Sequence, residues 1–442
     1  MAKLSRARTL FAFLLLATSL VAAPGALTHS LLAQALPTAA PAEEGFAPER
    51  LAFVDRFYSD AIERGELAGI VILVSRHGKI VHFSALGYAD IEKQRKMEKD
   101  TIFRQYSMTK AIATTALMQL YEQGRFQLDD PISMYLPEFK DMRVLRAPDG
   151  PLDETVAPVR EPTIQDILRH TAGFTHGLTG DKFDEQYTKA DLFGLDVTLE
   201  EMTKRLAKIP LKNQPGTKWE YSVGPDVAAR LVEVLSGEPI DGYLQKHVFD
   251  PLGMKDAGYW LGPEKADRLA TVYWTKDGKL TALDQTHGHP GKGWLLTPES
   301  VNSYTANHKH KGGSYGLVST AEDYWRFAQM ILNRGQLNGE RILGPQTIEL
   351  MGQDHLAPAG IPDFEKGKGF GLGFQVIENE AAAGGLGSVG SLSWGGAATT
   401  GFWIDPKEDI VIIALTQHLG APKAAEDAGR LRNLVYSALI VK

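Results

Sequence analysis

The sequence contains no cysteine. This excludes a thiol nucleophile, disulfide staples, Cys-ligated zinc and iron–sulfur clusters, and leaves covalent catalysis to Ser, Thr, Lys, Tyr or a carboxylate. It also lacks an excess of positive charge. The chain has 47 Lys and Arg against 54 Asp and Glu, a formal charge of −7 over 442 residues, so no general attraction to nucleic acid or to an anionic membrane is expected. Long apolar runs are scarce as well. The one that stands out, residues 10–23, is about 14 residues long and falls short of the ~20 needed to span a bilayer. It follows a basic stretch ending at Arg8 and precedes Ala33-Gln34-Ala35, so residues 1–35 read as a secretory signal peptide. No cysteine follows to accept lipid. The expectation is an exported protein, periplasmic or secreted, with no membrane anchor.

What is present is an ordinary globular composition, 43% hydrophobic and 23% charged, without internal repeats. Residues 47–63 carry Leu51, Phe53, Val54, Phe57 and Ile62 at helical spacing, and Gly65 follows as a stop. Residues 70–75 and 80–85 are β-branched runs around His77-Gly78-Lys79, a hairpin. Residues 372–378, 391–396, 399–405 and 410–417 read as further strands, and 423–440 as a closing helix. Between these ends, helices are expected at 107–123, 164–169, 226–235 and 320–332. The simplest assembly is an α+β fold. One antiparallel sheet comes from residues 46–106 and 311–442, flanked by N- and C-terminal helices, with a mainly helical region, 107–310, inserted. Residues 36–45, rich in Ala and Pro, read as a linker. The cleft between two such lobes is a natural place for a site.

Ser107-Met108-Thr109-Lys110 opens the helix that runs to Gln123. Spacing of three puts Ser107 and Lys110 on one helix face, close enough to share a proton. The motif alone is weak, since chance supplies an S-x-x-K in a chain of this composition, so the context decides. The helix is apolar nearly all round, and no acid occurs between Asp100 and Glu122. Lys110 is therefore expected to be buried without a partner on its own helix, with its pKa pushed down toward the neutral base. The bland alternative has Lys110 reaching solvent and Ser107 serving as an N-cap.

Other candidates are weighed in the same way. Tyr221, just before a helix opened by Pro225-Asp226, is either a core aromatic or a phenol whose pKa is lowered by Lys110 and which relays protons. Trp394-Gly395-Gly396-Ala397 lies between strand-like segments. Two glycines there cost stability unless a backbone or a ligand approaches closely. The N–H of Ala397, with that of Ser107, could form an oxyanion hole. Gly312-Gly313-Ser314-Tyr315-Gly316 matches the G-x-S-x-G nucleophile elbow, but no strand leads into it and no helix leads directly out, so it reads as a glycine-rich loop. His287-Gly288-His289 and His308-Lys309-His310 lack H-E-x-x-H spacing, and no metal site is expected.

In chain order, Ser107-x-x-Lys110, Tyr221-Ser222 and Trp394-Gly395-Gly396 resemble the serine β-lactamase and penicillin-binding protein superfamily, in particular its class C-like branch and the family VIII carboxylesterases. The resemblance extends to His170-Thr171-Ala172-Gly173-Phe174, to residues 219–254 ending in Phe249-Asp250-Pro251-Leu252-Gly253-Met254, to residues 316–327 and to residues 394–417, and covers roughly residues 46–440. It implies a β-lactamase/transpeptidase-like fold with Ser107 as acylated nucleophile, Lys110 as base and Tyr221 as proton relay. Two departures bear on substrate. Val223 stands where such proteins usually carry Asn, removing an amide for an acylamino group. Trp394 stands where they usually carry Lys or His, removing the cation that holds a carboxylate. Together they imply a cofactor-independent serine hydrolase of small neutral carboxylic esters, with Val223, Trp394, Gly395 and Gly396 lining the substrate. The alternatives on the same fold are a D-amino-acid-specific peptidase or weak β-lactamase, and a non-catalytic binder of cell-wall fragments. Nothing in the sequence indicates an oligomeric state.

Overall fold

Apolar residues alternate between two faces along the central strands, and this alternation builds the molecule. The computed structural model describes residues 36–178, 180–283, 303–361, 364–420 and 428–440. Its main sheet comprises β1 (Gly69–Arg76), β2 (Lys79–Asp90), β3 (Arg95–Lys96), β4 (Lys368–Phe370), β5 (Gln375–Ile377), β6 (Leu392–Gly396), β7 (Thr400–Asp405) and β8 (Ile410–Leu415). Their spatial order is β4-β5-β6-β7-β8-β1-β2-β3, and every neighbouring pair is antiparallel. The first and last thirds of the chain meet at β1 and β8, where Val71 faces Leu415 and Arg76 faces Ile410. At the tip of β1–β2, His77 (φ 49°) and Gly78 (φ 72°) form a two-residue turn of the kind that suits right-twisted strands.

Ile70, Ile72 and Val74 of β1, with Ile410 and Ile412 of β8 and Trp403 of β7, pack under α1 (Phe53–Glu63) and α5 (Ala428–Tyr436). The alternate residues Val71, Leu73, Val411, Ile413, Phe402 and Ile404 face the main core with α2 (Thr109–Glu122), α3 (Gly224–Ser236) and α4 (Ala321–Leu332). Both sheet faces are covered, which explains why the strands read as nearly continuous apolar runs. Helix α2 lies at the centre, with Thr109 through Met118 all buried. Truncating one of its large apolar side chains, such as Leu117, would cost about 2–5 kcal/mol.

All eight strands of the main sheet fall within residues 46–106 and 311–442, and α2 and α3 fall within residues 107–310. The two regions share one core, and residues 36–442 form one compact unit. The inserted region also holds a hairpin, Tyr273–Lys276 with Lys279–Ala282, whose first strand pairs in parallel with His418–Leu419. Residues 36–45 are not a free linker. The Ile80 N–H donates to the Pro37 carbonyl at 2.7 Å and the Ala39 N–H to the Ile80 carbonyl at 3.0 Å. Pro41–Glu44 forms a 3-10 turn, and the buried Glu44 carboxylate pairs with Lys79 (2.8 Å) and His77 (2.7 Å). Composition cannot reveal a segment that is ordered by the hairpin it neutralises. The expected signal peptide lies outside the described residues, and among the described residues no helix is long and apolar enough to cross a membrane.

Candidate active site

The first wall of the site is the entry to α2. Tyr106–Met108 forms a 3-10 turn that runs directly into the helix. Tyr106 has φ of 46°, a left-handed conformation that costs a bulky residue on the order of 1–3 kcal/mol. It is held there by burial to 2% exposure among Val272, Trp274 and Ala398. Two bonds from α4 and its approach brace the turn: the Tyr324 hydroxyl donates to the Met108 carbonyl (2.9 Å) and the Leu317 N–H to Thr109 Oγ1 (3.2 Å). Ser107 is left partly exposed, while Lys110, one turn on, is 1% exposed. Lys110 Nζ lies 3.2 Å from Ser107 Oγ and 3.4 Å from His176 Nε2, and it donates to the Ser314 carbonyl at 2.8 Å. Burial pushes the amine down to about 7, with the charge of Asp226 opposing. Lys110 therefore does not reach solvent, and Ser107 does not cap α2, whose N-cap position is Met108.

The second wall is the segment ahead of α3. It runs beside residues 170–175: the Glu220 N–H donates to the His170 carbonyl (2.9 Å), the Ser222 N–H to His170 Nδ1 (3.2 Å) and the Val223 N–H to the Thr175 carbonyl (3.1 Å). Tyr221 is thus clamped from both sides. Because His170 Nδ1 accepts a backbone N–H, its ring proton belongs on Nε2, and burial, helped by Lys110, holds the imidazole well below its ordinary value. The Tyr221 ring stacks on His176, 4.8 Å between centroids with planes 2° apart, and Lys110 Nζ sits 4.5 Å from its centroid. Its hydroxyl accepts the Trp394 Nε1–H at 3.3 Å, and Ser107 lies near enough to favour the phenolate. The expectation of a lowered phenol pKa is corrected here: burial pushes it up, despite the opposing pull of Ser107 and of the Trp394 N–H. The Lys110 amine lies over the ring face and, lowered to about 7, is neutral at the pH where a phenol could ionise, so it offers the phenolate little charge.

The third wall is the end of β6. A Cβ on Gly396 would collide with the Gln105 carbonyl oxygen and with Thr400 Oγ1. The same Thr400 hydroxyl donates to the Gln105 carbonyl at 3.2 Å, tying β7 to the nucleophile turn. The close backbone approach inferred for the glycine pair is thus met at Gly396, while Gly395 and Ala397 are exposed at the strand end. Trp394 is partly buried in an aromatic group. Its ring lies 5.3 Å from Phe370, 6.4 Å from Phe364 and 5.4 Å from Tyr221, and Trp219 lies 4.5 Å from Phe364.

Other candidates fall elsewhere. Val223 is corrected: its side chain is fully buried in the main core at the N-cap of α3, where it cannot line a substrate. Ser314 is fully buried, and its Oγ has no hydrogen-bond partner among the described residues. Its backbone is what enters the site, the carbonyl holding Lys110 and the N–H donating to Asp226 Oδ1 at 3.0 Å. His310 Nδ1 is bonded to the Val197 carbonyl at 3.1 Å, and no group of three ligating side chains is assembled for a metal among the described residues. His287 and His289 lie outside the described residues. Sequence reasoning missed His176 and Asp226. His176 carries no local signal, and Asp226 reads only as an acid in the first turn of a helix.

With this geometry in view, the comparison with known proteins decides the family. The Beta-lactamase family model matches residues 54–437. The chain belongs to the Beta-lactamase family. Esterase EstB of Burkholderia gladioli is 30% identical over 398 residues, covering 87% of this chain and 94% of that protein. Among solved structures, EstCE1, a hydrolase with promiscuous acyltransferase activity, is similar with a TM-score of 0.74, 28% identity and coverage of 88% of this chain and 98% of its own. Simvastatin synthase (LovD) from Aspergillus terreus shares the fold, with a TM-score of 0.72 at 22% identity, covering 88% of this chain and 99% of its own. These likenesses establish the β-lactamase/transpeptidase-like α+β architecture for this member of the family.

Proposed function

We propose that this Beta-lactamase family member is an exported carboxylic ester hydrolase that works through an acyl-enzyme on Ser107 and prefers small neutral esters. One observation carries the reading: Ser107 Oγ lies 3.2 Å from a lysine amine that burial brings down to about 7, with the Tyr221 hydroxyl close enough to be influenced by the same serine. Near and above neutral pH the amine is free to take the Ser107 proton as Oγ attacks the ester carbonyl carbon. Tyr221, held protonated by burial, is suited to donate rather than to start the reaction. It gives its proton to the departing alkoxide and is reprotonated from the Lys110 ammonium, so no net proton is consumed. The backbone N–H groups of Ser107 and Ala397 are assigned to stabilise the oxyanion. Water, attacking with the same groups in reverse, releases the acid and restores Ser107. The similar protein EstCE1 is a hydrolase with promiscuous acyltransferase activity, so transfer to an acceptor other than water is the alternative fate of the same intermediate.

The preference for neutral substrates rests on the third wall. Trp394, backed by Phe364 and Phe370, offers an aromatic surface and no cation, so a carboxylate placed there would lose hydration without gaining a partner. Lys311 does not fill the role. It is bonded to Asn307 Oδ1 at 2.6 Å and sits over the Tyr259 ring. Export is supported by the N-terminal basic, apolar and A-x-A pattern, which implies a periplasmic or secreted enzyme. The test is a substrate panel of short neutral esters, D-amino amides and a chromogenic cephalosporin, assayed with wild type and Ser107→Ala. The proposal requires ester turnover that is lost in the variant and exceeds the other two classes. Amide or cephalosporin turnover in excess would replace it with the peptidase or β-lactamase reading, and no turnover with no covalent labelling would favour a binder.

A further inference from the structure

The glycine-rich loop that imitates a nucleophile elbow is built into the site from behind. A Cβ on Gly313 would collide with the Pro225 carbonyl oxygen, and one on Gly312 would lie 2.9 Å from Asp226 Oδ1. Only glycines let this loop lie flat on the first turn of α3. There the Ser314 peptide is gripped from both ends, its N–H by Asp226 Oδ1 (3.0 Å) and its carbonyl by Lys110 Nζ (2.8 Å). Asp226 is fully buried, and its other oxygen, Oδ2, has no hydrogen-bond partner among the described residues. A buried carboxylate is expensive unless something offsets it. Here one backbone N–H and the nearby Lys110 ammonium do so.

We propose that Asp226 is a positioning residue for Lys110: through the Ser314 peptide it fixes the amine against Ser107, and its charge sets the pH at which that amine becomes a base. The second part rests on the proposed role of Lys110, and the first on geometry alone. The groups around Lys110 make Asp226 the influential one. His176 Nε2 lies 3.4 Å away, and both it and His170 are held neutral by burial. Tyr221 presents its ring face and stays protonated. On the far side of the loop, Tyr259 and Tyr315 are protonated by burial, His310 is lowered, and Lys311 is bonded to Asn307. Asp226 is thus the carboxylate acting on the Lys110 amine, and it opposes the downward push of burial.

The experiment pairs a kinetic readout with one that needs no substrate. The full chain, labelled with 13C at the lysine ε-carbon, is titrated by NMR, and the signal with a midpoint near 7 is assigned by its absence in Lys110→Ala. Asp226→Asn keeps an oxygen for the Ser314 N–H but removes the charge. The midpoint should fall by about 1 pH unit or more, and the acid limb of kcat/KM should move to lower pH in step, with the alkaline plateau reduced less than about 10-fold. Asp226→Glu keeps the charge at a changed reach. It should hold the midpoint near wild type while lowering the plateau about 10-fold or more. A Lys110 midpoint unmoved in Asp226→Asn, or a Glu variant that behaves like Asn, overturns the proposal. If Asn does not fold, Glu still decides, because a plateau kept at wild type would show that the grip on Ser314 is idle. Failure of the ester-hydrolase reading would appear separately, as absent turnover in the wild type with an intact NMR titration.

Discussion

The turns at residues 105–110 and 312–316 both carry a serine to the Lys110 amine, and they use opposite parts of the residue. Ser107 brings its hydroxyl, partly exposed beyond a strained Tyr106, to a place a substrate can reach. Ser314 is fully buried and brings its carbonyl, and its hydroxyl takes no part. In the sequence the second turn matches the longer motif, G-x-S-x-G, yet it lacks the strand leading in and the helix leading out that an elbow requires. A nucleophile needs an open side and a base, and those are properties of packing. Gly312 and Gly313 here serve close approach to α3, and no strained elbow presents Ser314.

The largest expected effect breaks the comparison outright. Ser107→Ala should lower kcat/KM for a short-chain nitrophenyl ester by at least about 10^4-fold, whereas Ser314→Ala should retain most of it, since the peptide that holds Lys110 is unchanged. Activity that follows Ser314 would reverse the assignment of the two turns.

Next come the partners. Lys110→Ala and Tyr221→Phe should each lower the rate by about 10^2–10^4-fold. The double variant should be little worse than the poorer single one, because one proton-transfer unit gives non-additive losses. Losses that add in log rate would mean independent roles, and retained activity in Tyr221→Phe would leave that residue as packing.

The pH dependence sharpens the division of labour. Lys110, lowered to about 7, must be neutral to act, so kcat/KM should rise with pH through about 7. Tyr221, pushed up by burial, must be protonated to donate, so no falling limb should appear below pH 10. A bell-shaped profile with its falling limb between pH 7 and 9 would contradict this order.

The smallest effect concerns the aromatic wall. Trp394→Lys should shift the ratio of cephalosporin to ester kcat/KM toward the anionic substrate by about 1–3 kcal/mol, at some loss of ester hydrolysis. A wild type already favouring the cephalosporin would overturn the neutral-ester preference.

Much of this was legible in the sequence where a local pattern carries the physics. The β1–β2 hairpin follows from β-branched runs around His-Gly, the burial of Lys110 from an apolar helix without an acid, and the close approach at Gly396 from a glycine pair inside a strand. Features that depend on what folds back from elsewhere were not legible. Asp226 and His176 reach Lys110 from distant segments. The direction of the Tyr221 shift depends on enclosure and not on its charged neighbour, and Val223 is buried by main-core residues from other segments. Strand ends moved for the same reason: residues 372–378 pair only over Gln375–Ile377, and residues 410–417 leave the sheet after Leu415.

The central claim, that Ser107 and not Ser314 is the residue Lys110 activates, is tested most directly by trapping the protein with an acylating phosphonate and locating the adduct by peptide mass mapping. The account predicts one adduct per chain on the peptide containing Ser107, formed faster as pH rises through about 7 and lost in Lys110→Ala. An adduct on the peptide containing Ser314, or none in a protein that still hydrolyses esters, would contradict it.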